Sequence, residues 1–157
     1  MDKHSDFVNS IAISPDSQTI VSGSEDKKIN VYSNSIKTIS AHIYPVNSVV
    51  IIPGFQMIAS GSNEPVISLW NLNSGEEIGK LTGHIGPIKS LAMSPDGQTL
   101  ASGGYDGTIK LWNLRTEEEI CTFPGNSNGI NAITFSKDGK ILASGGNDCT
   151  VKVWEIN

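Results

Sequence analysis

The chain contains 157 residues with a formal net charge of −5, two cysteines and a single arginine, Arg115. This length suits one ordinary domain. The acidic balance argues against a nucleic-acid-binding protein, because such proteins neutralise phosphates with clustered lysine and arginine. One arginine is also too few for the cationic cluster that recognises phosphopeptides.

No stretch of the sequence predicts a membrane span or a secretory leader. The longest aliphatic run, Val49–Ile52, is far shorter than a bilayer crossing requires, and Met1–His4 carry no apolar segment. Cys121 and Cys149 do not make a disulfide framework, which favours reduced thiols. We therefore expect a cytoplasmic protein whose partner is neither a membrane nor a nucleic acid.

A repeat of about 40 residues runs through the chain. Trp70, Trp112 and Trp154 lie 42 residues apart, and Tyr32 lies 38 residues before Trp70. Histidines, serines and acidic residues keep the same register. Such a period, with short strands and turns inside it, is typical of a solenoid or a propeller. The repeats span residues 4–40, 41–82, 83–124 and 125–157, each limit being approximate.

In repeat one the pattern predicts strands over 7–14, 19–23 and 29–33, with a turn at Pro15–Ser17. Tyr32 takes the place of tryptophan. Repeat two departs furthest from the others: its first turn is Pro53–Phe55, and Glu64 stands at the acidic position. In repeat one the connection Asn34-Ser35 to the outer strand is short, which accounts for the spacing of only 38 residues between Tyr32 and Trp70.

Repeat three is the most complete copy. Ile88–Met93 alternates apolar and polar residues, as a half-buried strand does. Ser94–Gly97 predicts a tight turn, because Asp-Gly tolerates the positive φ of hairpins. Further strands are predicted over 99–103, 108–112 and 119–123. Since one such sheet cannot bury both of its faces, successive sheets must stack.

Repeat four has Asn126 where histidine is expected, and its third strand ends near Trp154 without an outer strand after it. The array is therefore predicted to have about fifteen strands, with an edge on its last sheet that is a template for association.

Repeat three contains Gly83-His84, Ser94–Gly97, Leu100–Gly103, Asp106 and Trp112-Asn113. With these residues the unit resembles a repeat of the WD-repeat β-propeller family. The resemblance covers nearly the whole chain from His4. It implies an all-β fold of four propeller blades, the last one lacking its outer strand, acting as a protein-interaction module without catalytic activity.

The resemblance also implies one buried hydrogen-bonded tetrad in each blade, in which tryptophan binds serine, serine binds histidine and histidine binds the acid. Buried polar groups must be paired in this way. Because Tyr32, Glu64 and Asn126 alter the tetrads of the other three blades, we expect blade three to be the most rigid. The implied tetrads are His4, Ser22, Asp26 and Tyr32; His42, Ser60, Glu64 and Trp70; His84, Ser102, Asp106 and Trp112; and Asn126, Ser144, Asp148 and Trp154.

Partner contacts in the family lie three and five residues after the tetrad histidine and just before the tetrad acid, on what we call the top face. The aromatic members, Phe7 and Tyr105, are the expected anchors. An equally simple interpretation of the asparagines is that they only form turns. The positions are Phe7, Asn9, Glu25, Pro45, Asn47, Asn63, Pro87, Lys89, Tyr105, Gly129, Asn131 and Asn147.

A serine hydrolase is a remote alternative, based on Ser102 with His84 and Asp106, or on Ser127 in Gly125–Gly129. The first set has counterparts at the same positions in every repeat, whereas an enzyme needs only one such set. The second lacks the helix that must follow a nucleophile elbow. The three histidines fall in different blades, so we expect no metal site, and no cofactor motif is present.

Four blades are few for this family, and three assemblies follow. Two chains form the halves of an eight-bladed ring, the chain is part of a longer propeller, or it closes alone as a four-bladed ring. The first would make this a self-assembling half-propeller, a homodimer whose main contact is a second copy. The last is the least favourable, because the angle between blades would nearly double.

Overall fold

The computed structural model describes residues 3–156, which form fifteen strands in four antiparallel sheets with no helix in that range. Each sheet is one blade. Blade one contains β1 (Val8–Ile13), β2 (Ile20–Ser24), β3 (Lys28–Tyr32) and β4 (Ile36–Ser40). Blade two contains β5 (Val46–Ile52), β6 (Met57–Ser62), β7 (Val66–Asn71) and β8 (Glu77–Thr82).

Blade three contains β9 (Ile88–Met93), β10 (Thr99–Gly104), β11 (Thr108–Asn113) and β12 (Glu118–Pro124). Blade four has only β13 (Ile130–Phe135), β14 (Ile141–Gly146) and β15 (Val151–Glu155) among the described residues. Strands follow one another in space as in sequence. The prediction of four all-β blades with a three-stranded last blade is confirmed.

Strand limits differ from the predicted ones by a residue or two. Residues 7–14 were expected in the first strand, but β1 covers only Val8–Ile13. Ser14 instead closes the β1–β2 turn, since its hydroxyl accepts a hydrogen bond from Thr19 N–H at 2.9 Å. In blade three the corresponding turn ends at Gly97, whose φ of 71° is the left-handed value that hairpin turns need.

The hydrophobic core lies between blades rather than within them. One cluster joins blades one and two through Ile29, Val46 and Trp70. A second joins blades two and three, and a third joins blades three and four. Alternate residues of a strand point to opposite faces. In β11, Trp112 therefore packs toward blade two, whereas Ile109 and Leu111 pack toward blade four.

Candidate functional site

The tetrad of blade three is a continuous chain of hydrogen bonds. Trp112 Nε1 donates to Ser102 Oγ at 2.8 Å, and Ser102 Oγ lies 2.7 Å from His84 Nε2. His84 Nδ1 lies 2.8 Å from Asp106 Oδ2. The same carboxylate accepts the Ile85 N–H, so the tetrad fixes the loop that enters β9. The residues come from β10, β11 and the two loops beside them.

Blade two keeps this arrangement with a longer acid. Trp70 Nε1 donates to Ser60 Oγ at 2.8 Å, and His42 bridges Ser60 and Glu64 at 2.7 and 3.1 Å. In blade one, His4 bridges Ser22 and Asp26 at 2.7 and 2.9 Å. The Tyr32 hydroxyl accepts a hydrogen bond from Asn30 Nδ2 at 3.3 Å.

Blade four replaces the imidazole with an amide. Ser144 Oγ donates to Asn126 Oδ1 at 2.6 Å, and Asn126 Nδ2 donates to Asp148 Oδ1 at 3.0 Å. An amide offers an acceptor and a donor on opposite sides, as neutral histidine does. Within the described residues, no hydrogen bond joins Trp154 to Ser144. The polar chain thus continues through Asn126 and omits the indole.

The histidines of blades two and three are neutral donors and acceptors. A carboxylate only accepts, so Nδ1 of His84 carries the proton and Nε2 accepts the Ser102 hydroxyl. Burial lowers the pKa of His42 and His84, and the nearby acids Glu64 and Asp106 offset this only partly. Burial opposes ionisation of Asp106, yet hydrogen bonds from Thr108, Ile85 and His84 hold its pKa below the usual value.

The predicted hydrolase residues are placed poorly for catalysis. The Ser102 side chain is completely buried and already engaged on both sides, so a substrate has no path to it. Ser127 N–H and O–H both bind Asp148. Residues 3–156 contain no group of three or more His, Cys, Asp or Glu side chains able to hold a metal ion. Over the same residues, no helical segment has the length and hydropathy of a membrane span.

The top face is the end of the blades that carries the tetrad loops. The loop before the first strand of a blade and the turn between its second and third strands lie at this same end, because neighbouring strands are antiparallel. All twelve predicted partner positions lie on or next to these loops. Phe7 and Tyr105 are exposed, whereas Pro45 and Pro87 are half-buried and Gly129 is buried against Tyr105.

Many of the polar members of this set are engaged with one another. Within each of three blades, an asparagine Nδ2 donates a hydrogen bond to another member of the set. These bonds run from Asn9 to Glu25 at 3.0 Å, from Asn47 to Asn63 at 3.0 Å and from Asn131 to Asn147 at 2.6 Å. Lys89 Nζ reaches Asn63 in the preceding blade at 3.1 Å. Asn9 and Asn47 also bind main-chain carbonyls of the next blade. These side chains therefore link blades as well as facing solvent.

Three exposed apolar residues of the top face were missed from the sequence. They are Ile43, Tyr44 and Ile85, which directly follow the tetrad histidines, and Ile85 is 90% exposed. The sequence does carry a signal for them. Each is a large apolar residue in a turn between two buried residues, where no strand can bury its side chain. Close to Tyr105, a shallow groove is lined by Ser127, Asn128 and Asn147.

Clefts also open on the opposite, bottom face, between the first hairpin turns of neighbouring blades. One is lined by Pro15, Pro53 and Asn73, and another by Pro95, Phe135 and Lys140. Their walls are turn residues and the edges of the core. Neither cleft places several exposed aromatic or aliphatic side chains together as the top face does.

The repeats match a family model along the chain. The model described as "WD domain, G-beta repeat" matches residues 1–33, 33–71, 75–113 and 117–155. The chain belongs to the WD-repeat family. Each matched segment ends one residue after the tetrad position Tyr32, Trp70, Trp112 or Trp154, so three of the four begin near the outer strand of the preceding blade.

A solved structure supports the same architecture for this WD-repeat chain. The crystal structure of the computationally designed Ika4 protein superposes with a TM-score of 0.85 at 28% sequence identity, over 100% of this chain and 96% of that chain. No curated protein matches the sequence. WD-repeat proteins are generally non-catalytic scaffolds, and the four WD repeats of this chain support a protein-interaction scaffold in general.

Proposed function

We propose that the top face binds a peptide or protein that inserts apolar side chains between its loops. The observation that carries this proposal is a set of five large apolar side chains exposed on that face. Exposed apolar patches on soluble proteins mark interaction sites, and aromatic residues dominate their binding energy. The five residues are Phe7, Ile43, Tyr44, Ile85 and Tyr105.

Contacts that hold the loops in place support this assignment. The Asp106 carboxylate holds the loop of Ile85 through its main-chain N–H, and Gly129 packs against Tyr105. A surface held in place before binding loses less conformational entropy when a partner docks. Lys89 and Glu25 flank the apolar side chains and supply charge of both signs. The favoured partner is a segment with aromatic or aliphatic anchors between polar residues.

Selection from a random peptide display library tests the proposal. Peptides selected on the whole chain should bind Tyr105→Ala and Ile85→Ser at least about tenfold more weakly, as expected for hot-spot residues. Phe55→Ser is the matched control, because Phe55 is exposed on the bottom face. Equal binding to the wild type and both top-face variants, or loss of binding with Phe55→Ser, would contradict the proposed site.

A second candidate function is self-association, and a specific observation favours it. Residues that are buried at each internal junction between blades have exposed counterparts on blades one and four. Val46 is buried whereas its counterpart Val8 in blade one is exposed, and Ile109 is buried whereas its counterpart Val151 in blade four is exposed. In this function the chain is a self-assembling half-propeller, and a top-face partner meets the closed ring.

A cytoplasmic location is part of the proposal. Cys121 and Cys149 are both free thiols in the structure. Burial raises the pKa of Cys121, with Glu119 adding to the effect, so this thiol stays protonated. Unpaired cysteines suit a reducing compartment. Alkylation of both thiols in protein extracted under non-reducing conditions is the expected result, and a disulfide would contradict it.

A further inference from the structure

Consecutive blades pack through a recurring contact between a glycine and a β-branched side chain of the next blade. A Cβ atom at Gly23 would lie 2.6 Å from Val46 Cγ1, and one at Gly103 would lie 2.6 Å from Ile130 Cγ2. Gly61 meets Ile88 in the same way. Each second strand thus offers a glycine socket, and the first strand of the next blade fills it. Absence of a side chain is what permits this close approach.

At the two ends of the array the same parts have no counterpart. A Cβ atom at Gly145, the glycine of blade four, would meet no other atom within 4 Å. The side chains that fill a socket are here called the plug, and in blade one the plug positions are Val8 and Ile11, which are 49% and 65% exposed. Their equivalents in the other blades are at most 7% exposed. The socket and the plug are both present, and they do not meet within one chain.

The exposed side of blade four adds to the apolar surface around its socket. Val151 and Val153 lie on β15 and are 75% and 61% exposed. The matching residues in blade three, Ile109 and Leu111, are buried against blade four. At every internal junction, the following blade therefore covers the apolar surface that blade four leaves exposed.

Polar groups at this end keep the internal register as well. Asn9 Nδ2 donates to Val46 O at 3.0 Å, and Asn47 Nδ2 donates to Ile88 O at 2.8 Å, in each case across a junction. Asn131 is the equivalent residue of blade four, and Asn147 already orients its amide. By position, its remaining N–H would meet the carbonyl of a Val8 in a following blade.

We infer that the blade-four end of one copy binds the blade-one end of a second copy in this same register, so that two chains close an eight-bladed ring. Val8 of one copy enters the Gly145 socket of the other, and Ile11 covers Val151 and Val153. The contact is head-to-tail and occurs twice, related by a two-fold axis, which is how heterologous contacts close into a ring. Eight blades lie within the range of known propellers. This inference rests on self-association, the second candidate function above.

One residue departs from the internal pattern and makes the inference specific. Ser10, Ser48 and Ser90 each accept the main-chain N–H of Val49, Leu91 or Ile133 in the next blade, at 3.0 to 3.1 Å. The corresponding residue in blade four is Ala132. The contact between copies therefore lacks the hydrogen bond that Ile11 N–H would otherwise make. Restoring a serine should strengthen association without touching any internal junction.

Sedimentation velocity of the whole chain over a concentration series tests the interface. The wild type should reach twice the chain mass of 16.7 kDa. Gly145→Val should raise the dissociation constant at least about tenfold, because the added methyl groups fill the socket. Ala132→Ser should lower it about two- to tenfold for each contact. Phe55→Ser is the control, since Phe55 is exposed on the bottom face of blade two and should leave the mass unchanged.

The monomer should tolerate Gly145→Val, because its new atoms project into open space, and an unchanged circular dichroism spectrum at low concentration checks this. Ile11→Asp disrupts the same contact from the other side and gives a second, independent variant. A wild type that stays at 16.7 kDa at every concentration would overturn self-association itself. A dimer indifferent to Gly145→Val and to Ile11→Asp would overturn only this interface. Neither result bears on peptide binding by the top face.

Discussion

Blade three and blade four carry nearly the same sequence pattern, yet their indoles lie in different surroundings. Trp112 is 1% exposed, and its N–H is bound to Ser102. Trp154 is only half-buried, packs against Phe123 with ring centroids 6.2 Å apart, and makes no tetrad bond to Ser144. Both indoles face the preceding blade, but β11 has the outer strand β12 beside it, whereas no strand lies outside β15 among the described residues. The surroundings of a repeated residue therefore depend on the strands around it as well as on its place in the repeat.

The largest expected effect comes from removing the two indoles in turn. Trp112→Ala should lower the free energy of unfolding by about 3–5 kcal/mol, because it leaves a cavity in the core between blades two and three. Trp154→Ala should cost roughly half as much, since its side chain is already partly hydrated. Urea unfolding at one fixed protein concentration measures both. Equal losses would show that the half-buried indole of blade four contributes as much as the buried one.

The glycine sockets give the next comparison. Gly103→Ala should destabilise the chain by about 1–3 kcal/mol, because Ile130 and Ile133 must move away from the new methyl group. Gly145→Ala should change the stability of the monomer by less than about 0.5 kcal/mol. Thermal unfolding of dilute protein compares the two variants. A large loss from Gly145→Ala would contradict the open socket on blade four.

Deleting the tetrad hydroxyls tests the polar networks separately from packing. Ser102→Ala leaves both the Trp112 N–H and His84 Nε2 without a partner in a buried site, so we expect a loss of about 1–3 kcal/mol. Ser144→Ala leaves only Asn126 Oδ1 without its donor, and the expected loss is about 1 kcal/mol. Urea midpoints decide the order. A greater loss at Ser144 would mean that the amide network of blade four is the stronger of the two.

The smallest effect is a pH dependence carried by the blades with histidine. The lowered pKa of His42 and His84 means that the unfolded chain takes up protons that the folded chain does not. Stability should therefore fall as the pH drops below about 6.5. The lowered pKa of Asp106 has the same sign and adds a further loss below about pH 4.

Urea midpoints between about pH 8 and pH 5 measure the histidine contribution. His84→Gln should flatten the dependence, because an amide takes the place of the titrating group, as Asn126 does naturally in blade four. A wild type of constant stability over this range would contradict neutral buried histidines.

Much of the fold was predictable because the same pattern of strands and turns recurs in each repeat. The register of Trp70, Trp112 and Trp154, with turns such as Ser94–Gly97 between alternating strands, predicted the four sheets, the last of which has three strands among the described residues. Strand ends were less exact, because a residue such as Ser14 fits either a strand or the turn that closes it.

The candidate site was only partly predictable. Phe7 and Tyr105 were identified and are exposed, but Ile43, Tyr44 and Ile85 were not, because the family positions do not include them. The asparagine positions had two possible roles, and their carbonyl partners, Val46 O for Asn9 and Ile88 O for Asn47, belong to the next blade. A contact between repeats leaves no local pattern in the sequence. The rigidity expected of blade three stays a prediction.

The sequence by itself determined the unit: its strands, its turns and the residues placed to form its polar network. Periodicity expresses local preferences, and these repeat with the chain. Only the tertiary structure decided which apolar residues are covered. Val8 and Val46 occupy the same position and are both valine, yet one is half exposed and the other is fully buried. Burial depends on a neighbouring blade, and blade one has none before it in the described structure.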